Sequence, residues 1–135
     1  MIITTLLCLY LLPAMAQETR REDKIDITYR ECLMKDTSVA TRANCGFEAY
    51  KSWEHEMNIA YNRLLKELKK DKNKTALKQA QAAWIAYKNA EFASYDIMLN
   101  LPGGKWQGIR QDYRIEVVRE RALLLRSYLE TLKAK

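Results

Sequence analysis

The chain has 135 residues, a formal net charge of +6 and a single histidine, enough for one domain with one modest core and too little histidine for a zinc site. Four glycines, two prolines and almost no β-branched alternation exclude a sheet protein. The positive balance has two readings: attraction to anionic lipid, anionic glycan or an acidic partner, or plain solvated lysine-rich helix faces.

Residues 1–16, MIITTLLCLYLLPAMA, carry no charged side chain. The apolar run from Ile2 to Leu12, followed by Pro13 and the small-x-small triplet Ala14-Met15-Ala16, predicts a secretory signal cleaved before Gln17. The run is too short to cross a bilayer core of about 30 Å. Unlike most signals, it has no Lys or Arg ahead of it. Cys8 follows Leu6 and Leu7, where a lipidation site has a small residue, so it reads as part of the discarded signal. The expected mature domain is therefore 17–135, exported to a periplasm or secreted, with no membrane span of its own. It keeps Cys32 and Cys45, which in an oxidising compartment predict a disulfide sooner than a metal site.

Helical periodicity runs through the rest of the chain. Ile25 to Met34 reads as a short helix leading through Cys32. From Thr41 to about Lys70, a stripe of Phe47, Tyr50, Trp53, Met57, Ala60, Tyr61, Leu64, Leu65 and Leu68 is spaced by threes and fours. Lys69 to Lys74 is a polar turn in which Asp71 or Asn73 is the expected cap. The next helix spans about Thr75 to Met98, with Leu77, Ala80, Trp84, Tyr87, Ala90, Glu91 and Tyr95 on its stripe. Leu101-Pro102-Gly103-Gly104 stops it. The last helix runs from roughly Gln107 to Leu132, with Ile109, Tyr113, Val117, Leu124, Tyr128 and Leu132 facing inward. The predicted fold is all-α: an up-and-down bundle of three long helices plus a short N-terminal helix, stapled by Cys32–Cys45.

Convergent catalytic groups are missing from the pattern. His55 stands alone on a helix, no serine sits in a nucleophile elbow, and no glycine loop has phosphate-binding spacing. The carboxylates Glu54, Glu56, Glu67, Glu91, Asp112, Glu116 and Glu120 fall among basic residues at helix-surface spacing. The expectation is no enzyme, no metal and no cofactor. Lys66–Lys74 and Arg110, Arg114, Arg119, Arg121 and Arg126 are basic, but the aromatics lie mostly on core stripes, so nucleic acid is not an expected partner. Trp106 differs: it sits next to Lys105 at a helix joint, where it either anchors a partner or folds back to cap the bundle.

Two segments carry a family resemblance. Glu56-Met57-Asn58-Ile59-Ala60-Tyr61-Asn62-Arg63-Leu64 resembles the "L-N-x-x-Y-x-x-L" helix of the LprI-like lysozyme-inhibitor family. Gln79-Ala80-Gln81-Ala82-Ala83-Trp84-Ile85-Ala86-Tyr87-Lys88-Asn89-Ala90-Glu91 is similar to its "Q-x-x-W-[IL]-x-[YF]-[RK]-[DN]-A-E" signature, and Glu31-Cys32 with Asn44-Cys45 matches its paired N-terminal cysteines. In this setting Asn58, Tyr61, Gln81, Trp84, Tyr87 and Glu91 read as packing residues, their polar members reaching neighbouring helices or a loop. Many relatives have a further cysteine pair, at the positions of Phe92 and about Tyr113; here those two rings are expected to touch in its place.

The resemblance implies an exported protein that binds a protein partner, a cell-wall hydrolase of the lysozyme type, and inhibits it by steric occlusion. Animal lysozymes of the c type are basic, so a partner at +6 is repelled at long range unless a local patch compensates. An immunity protein that blocks a wall-attacking toxin, and a non-inhibitory glycan or envelope binder, are the alternatives. The candidate contact is the joint Leu101 to Gln107: Lys105 as a cation for a catalytic carboxylate, Trp106 as the apolar anchor, and Gln107 beside them. Nothing in the sequence fixes the oligomeric state.

Overall fold

The Asp23 carboxylate accepts a hydrogen bond from the Ile25 N–H at 3.0 Å, a side-chain cap that satisfies an otherwise orphaned amide and starts α1 (Lys24–Lys35). The computed structural model describes residues 22–134; the expected signal 1–16, Cys8 and the cleavage point before Gln17 lie outside the described residues. Ser38 caps α2 (Val39–Glu67) through the Thr41 N–H, and Asp36 accepts in turn from the Ser38 and Thr41 hydroxyls and from the Ser38 amide. Those bonds hold the Asp36 carboxyl at a pKa of about 2.

Residues 68–70 join α2 to α3 (Asp71–Met98). Neither Asp71 nor Asn73 caps this helix as expected: both fall within its first turn, and Lys70 occupies the cap position with no side-chain bond to offer. At the far end Gly103 has φ 107°, a left-handed conformation that side chains with a Cβ avoid, and it turns the chain into α4 (Gly104–Lys133). The helix therefore begins three residues before the expected Gln107, and Lys105, Trp106 and Gln107 form its first turn.

The helices pack around a central parallel pair. Arg42 meets Asp112, the Gly46 carbonyl meets the Gln111 amide, and Glu56 meets Arg126, so α2 and α4 run side by side in one direction. A Cβ at Gly46 would lie 2.6 Å from Cγ of Gln111, and glycine there lets the two helices close up. α1 and α3 run opposite to the pair and flank it. The core is the α2 face Ala49, Trp53, Met57, Ala60 and Leu64 against the α4 face Ile115, Val118, Ala122, Leu125 and Leu129. Both faces mix alanines with large side chains, a combination that lets two helices interdigitate. The Cys32–Cys45 disulfide, with Cα atoms 5.8 Å apart, ties α1 to α2.

The expected stripes need correcting at three places. On α2, Phe47 is more than half exposed, because the buried face passes through Cys45, Gly46 and Ala49 on either side of it. On α4, Tyr113, Leu124 and Tyr128 are exposed, because the buried face is rotated onto Ile115, Val118, Ala122, Leu125 and Leu129. On α3, Ala80, Tyr87 and Ala90 lie outside, and the inward line runs through Leu77, Gln81, Trp84, Lys88, Phe92 and Tyr95. Polar residues at two inward positions, and an alanine or tyrosine one step away from them, shift the apparent stripe by one residue.

Candidate functional site

Trp53 and Asp26 organise the seam between α1 and the central pair. Trp53 is fully buried, its indole N–H donates to the Asp26 carboxylate at 3.1 Å, and Arg119 donates to the other oxygen of the same group at 2.9 Å. The guanidinium groups of Arg119 and Arg126 stack over the indole at 5.6 and 5.4 Å. Arg126 also joins Asp23 of α1 to Glu56 of α2. Burial acts against charge at Asp23, but the Ile25 amide and Arg126 overcome it and hold the carboxyl below its usual value. Further along, the Tyr29 hydroxyl donates to Asp112, and burial together with that carboxylate raises its pKa. Asp26, Arg119, Arg126, Asp23, Glu56, Tyr29 and Asp112 are each engaged by another part of the bundle, which gives these groups a structural role.

The family-motif residues lie on the α2 and α3 surfaces that face each other and outward. Gln81 is 6% exposed; its carbonyl accepts a two-pronged bond from Arg121 at 3.0 and 2.9 Å, and its amide lies 3.8 Å from the Met57 sulfur. Burial lowers the Arg121 pKa. Trp84 and Tyr61 are half-buried against the core, and Arg121 stacks over Trp84 at 5.8 Å. Glu91 accepts from Tyr95 on its own helix, while Asn58 and Tyr87 are exposed. Phe92 and Tyr113 do not meet as expected: both pack on Tyr95, at 6.4 and 5.3 Å between ring centres. Tyr61, Gln81 and Trp84 lie against the core, and Asn58, Tyr87 and Glu91 take no part in a neighbouring helix's hydrogen bonds.

The expected contact residues sit at the end of the bundle where α1 and α3 finish and α2 and α4 begin. Lys105 and Gln107 are exposed there, and Trp106 is half-buried, with Lys105 Nζ 5.0 Å above its ring. Thr37, Val39, Arg42, Gly104, Lys105 and Ile109 line an open groove of about 380 Å³. Sequence reasoning missed what surrounds them. Met34, Val39, Ile97 and Met98 are between 52% and 78% exposed, and all four belong to this end beside Leu101, which the expected joint already included. Their signal was present: each lies within a turn of a helix terminus, where no inward stripe accounts for it. The charges nearby are mostly neutralised, Arg42 by Asp112 and Arg114 by Asp96, while Arg110 donates to the Leu99 carbonyl at 2.6 Å. Lys105 forms no ion pair among the described residues.

The sequence profile described as "Lysozyme inhibitor LprI" matches residues 29–125. The chain belongs to the LprI lysozyme-inhibitor family. No curated protein matches it. Among solved structures, a crystal structure of an uncharacterised protein from Burkholderia thailandensis is similar at a TM-score of 0.76 and 28% identity, over 84% of this chain. The chain spans 57% of the length of that protein. The LprI match begins in α1 and ends in α4, so it includes the disulfide, Trp53 and the Gln81–Arg121 bond, and also the apolar end, while Asp23, Asp26 and Arg126 of the seam lie just outside it. No described helix is long and apolar enough to cross a membrane.

Proposed function

We propose that this LprI-family chain is exported, carries no catalysis of its own, and inhibits a peptidoglycan-degrading enzyme of the lysozyme type by covering its substrate cleft. The observation that carries the reading is the family match over 29–125. The disulfide supports export, because such bonds persist in oxidising compartments.

The contact is assigned to the apolar end. Exposed Ile97, Met98 and Leu101 offer area that loses water on docking, and Lys105, beside half-buried Trp106 and exposed Gln107, offers a cation to a catalytic carboxylate. This placement also answers the charge objection. The ion pairs at this end offset part of its positive charge, so a basic hydrolase approaching it meets less repulsion than +6 suggests.

The test is a titration of the purified protein into a peptidoglycan-clearing assay with a c-type lysozyme, beside a pull-down from periplasmic and host-secretion extracts. Inhibition that saturates near equimolar protein is the expected result. Lys105→Ala and Trp106→Ala should each weaken it by about ten-fold or more, the size of a modest hot spot, with little change in melting temperature. Undiminished clearing at large excess, with no hydrolase captured, would remove the inhibitor reading; capture of a wall-attacking toxin would replace it with immunity.

A further inference from the structure

The net charge of the molecule is gathered at one end. Between positions 63 and 78 stand seven basic side chains, Arg63, Lys66, Lys69, Lys70, Lys72, Lys74 and Lys78, against Glu67 and Asp71, a surplus of five in a chain whose net charge is +6. These residues form the last turn of α2, the joint 68–70 and the first two turns of α3. Six of the seven basic residues are exposed, and none is paired with a carboxylate among the described residues. The contrast with the arginines elsewhere is sharp: Arg30, Arg42, Arg110, Arg114, Arg119 and Arg126 all hold carboxylates. Like charges at this density repel one another and weaken the folded state, so a bare cluster of this kind is a standing attraction for an external anion.

We infer that this lysine-rich end docks on an anionic phospholipid surface, holding the bundle upright with its apolar end outermost. Two features favour lipid headgroups over other anions. The cluster is made mainly of lysines, mobile point charges on flexible stems, which suit a fluid array of phosphates better than a fixed array that arginine forks would read. Residues 62–80 contain no aromatic side chain on which a sugar ring or a base could stack. α4, at 30 residues and about 1.5 Å per residue, sets the opposite end about 45 Å away.

The experiment is vesicle co-sedimentation of the protein purified from the periplasm of an expression host, with pure phosphatidylcholine vesicles compared with vesicles in which about one lipid in three is phosphatidylglycerol. Binding to the anionic vesicles alone is expected, lost at about 0.5 M salt, where screening shortens the reach of each charge to a few ångströms. The variant Lys66→Gln, Lys69→Gln, Lys70→Gln, Lys72→Gln removes four exposed charges and no ion pair, so its helix content and melting temperature should hold while its partition falls at least ~100-fold. Lys105→Gln, at the other end, should bind as the parent does. Equal binding to both vesicle types, undiminished binding by the four-lysine variant, or sedimentation with isolated peptidoglycan but not with anionic vesicles would each overturn the proposal. None of these outcomes depends on whether a hydrolase is inhibited.

Discussion

α1 is 12 residues long and α3 is 28, yet the shorter helix is the better fastened of the two. α1 buries no residue fully, but a disulfide, the Asp26 bonds to Trp53 and Arg119, the Tyr29–Asp112 bond and the Asp23–Arg126 pair connect it to both members of the central pair. α3 buries only Gln81 and leaves Ile85, Tyr87, Ile97 and Met98 exposed. Its hold on the bundle runs through long side chains. Lys88, lying over Trp84 and Phe92 of its own helix at 5.7 Å, reaches Glu54 of α2 at 3.8 Å; Arg121 grips Gln81; Arg114 stacks on Phe92. The Tyr50 ring meets Phe92 edge-on at 6.1 Å, and burial followed by the Glu54 charge pushes the Tyr50 pKa up to about 12. A helix is held by what its inward positions carry, and length alone adds little.

Three substitutions test this contrast. Trp53→Ala should have the largest effect, about 3–5 kcal/mol lost in denaturant unfolding. It empties a fully buried site, takes the donor from Asp26 and leaves Arg119 and Arg126 without their ring. Replacing both Cys32 and Cys45 by serine should cost about 2–4 kcal/mol. Hydrogen exchange should then show faster opening in α1, with α3 unchanged. Gln81→Ala should cost about 1–3 kcal/mol, because the half-buried Arg121 guanidinium loses its acceptor. Its signature is the reverse, faster exchange across α3 with α1 unaffected. Should Gln81→Ala loosen both helices equally, the two would be one cooperative unit and the contrast would fail.

The number and order of the helices were legible because spacings of three and four recur along the whole chain, and Pro102 and Gly103 mark the last joint. The disulfide followed from two nearby cysteines. The seam was not legible. Glu56 and Asp112 read as solvated carboxylates, yet each meets an arginine about 70 positions away, Arg126 and Arg42 respectively, and no local spacing encodes that meeting. The phase of α3 was misread for a physical reason: Gln81 and Lys88 occupy inward positions, and amphipathic stems can do there what apolar residues usually do. At the candidate contact, Lys105, Trp106 and Gln107 were expected at a helix joint and form the first turn of α4 instead. The neighbouring Met34, Val39, Ile97 and Met98 come to the same end of the molecule only when four helix ends meet.

The parallel course of α2 and α4 governs the order in which the molecule can assemble. Partners such as Gly46 and Gln111, or Glu56 and Arg126, are separated by the whole of α3. When the chain is made N-terminus first, α1 and α2 can meet early, since 13 positions separate their cysteines. The large side chains Trp53, Met57 and Leu64, however, have no opposing wall until α4 exists. Closing so wide a loop is slow compared with pairing neighbouring helices. Until it closes, a nascent three-helix form presents its future core to whatever surrounds it. A holding chaperone that covers the α2 face should therefore matter more to the yield of this protein than to that of a bundle whose consecutive helices form the core.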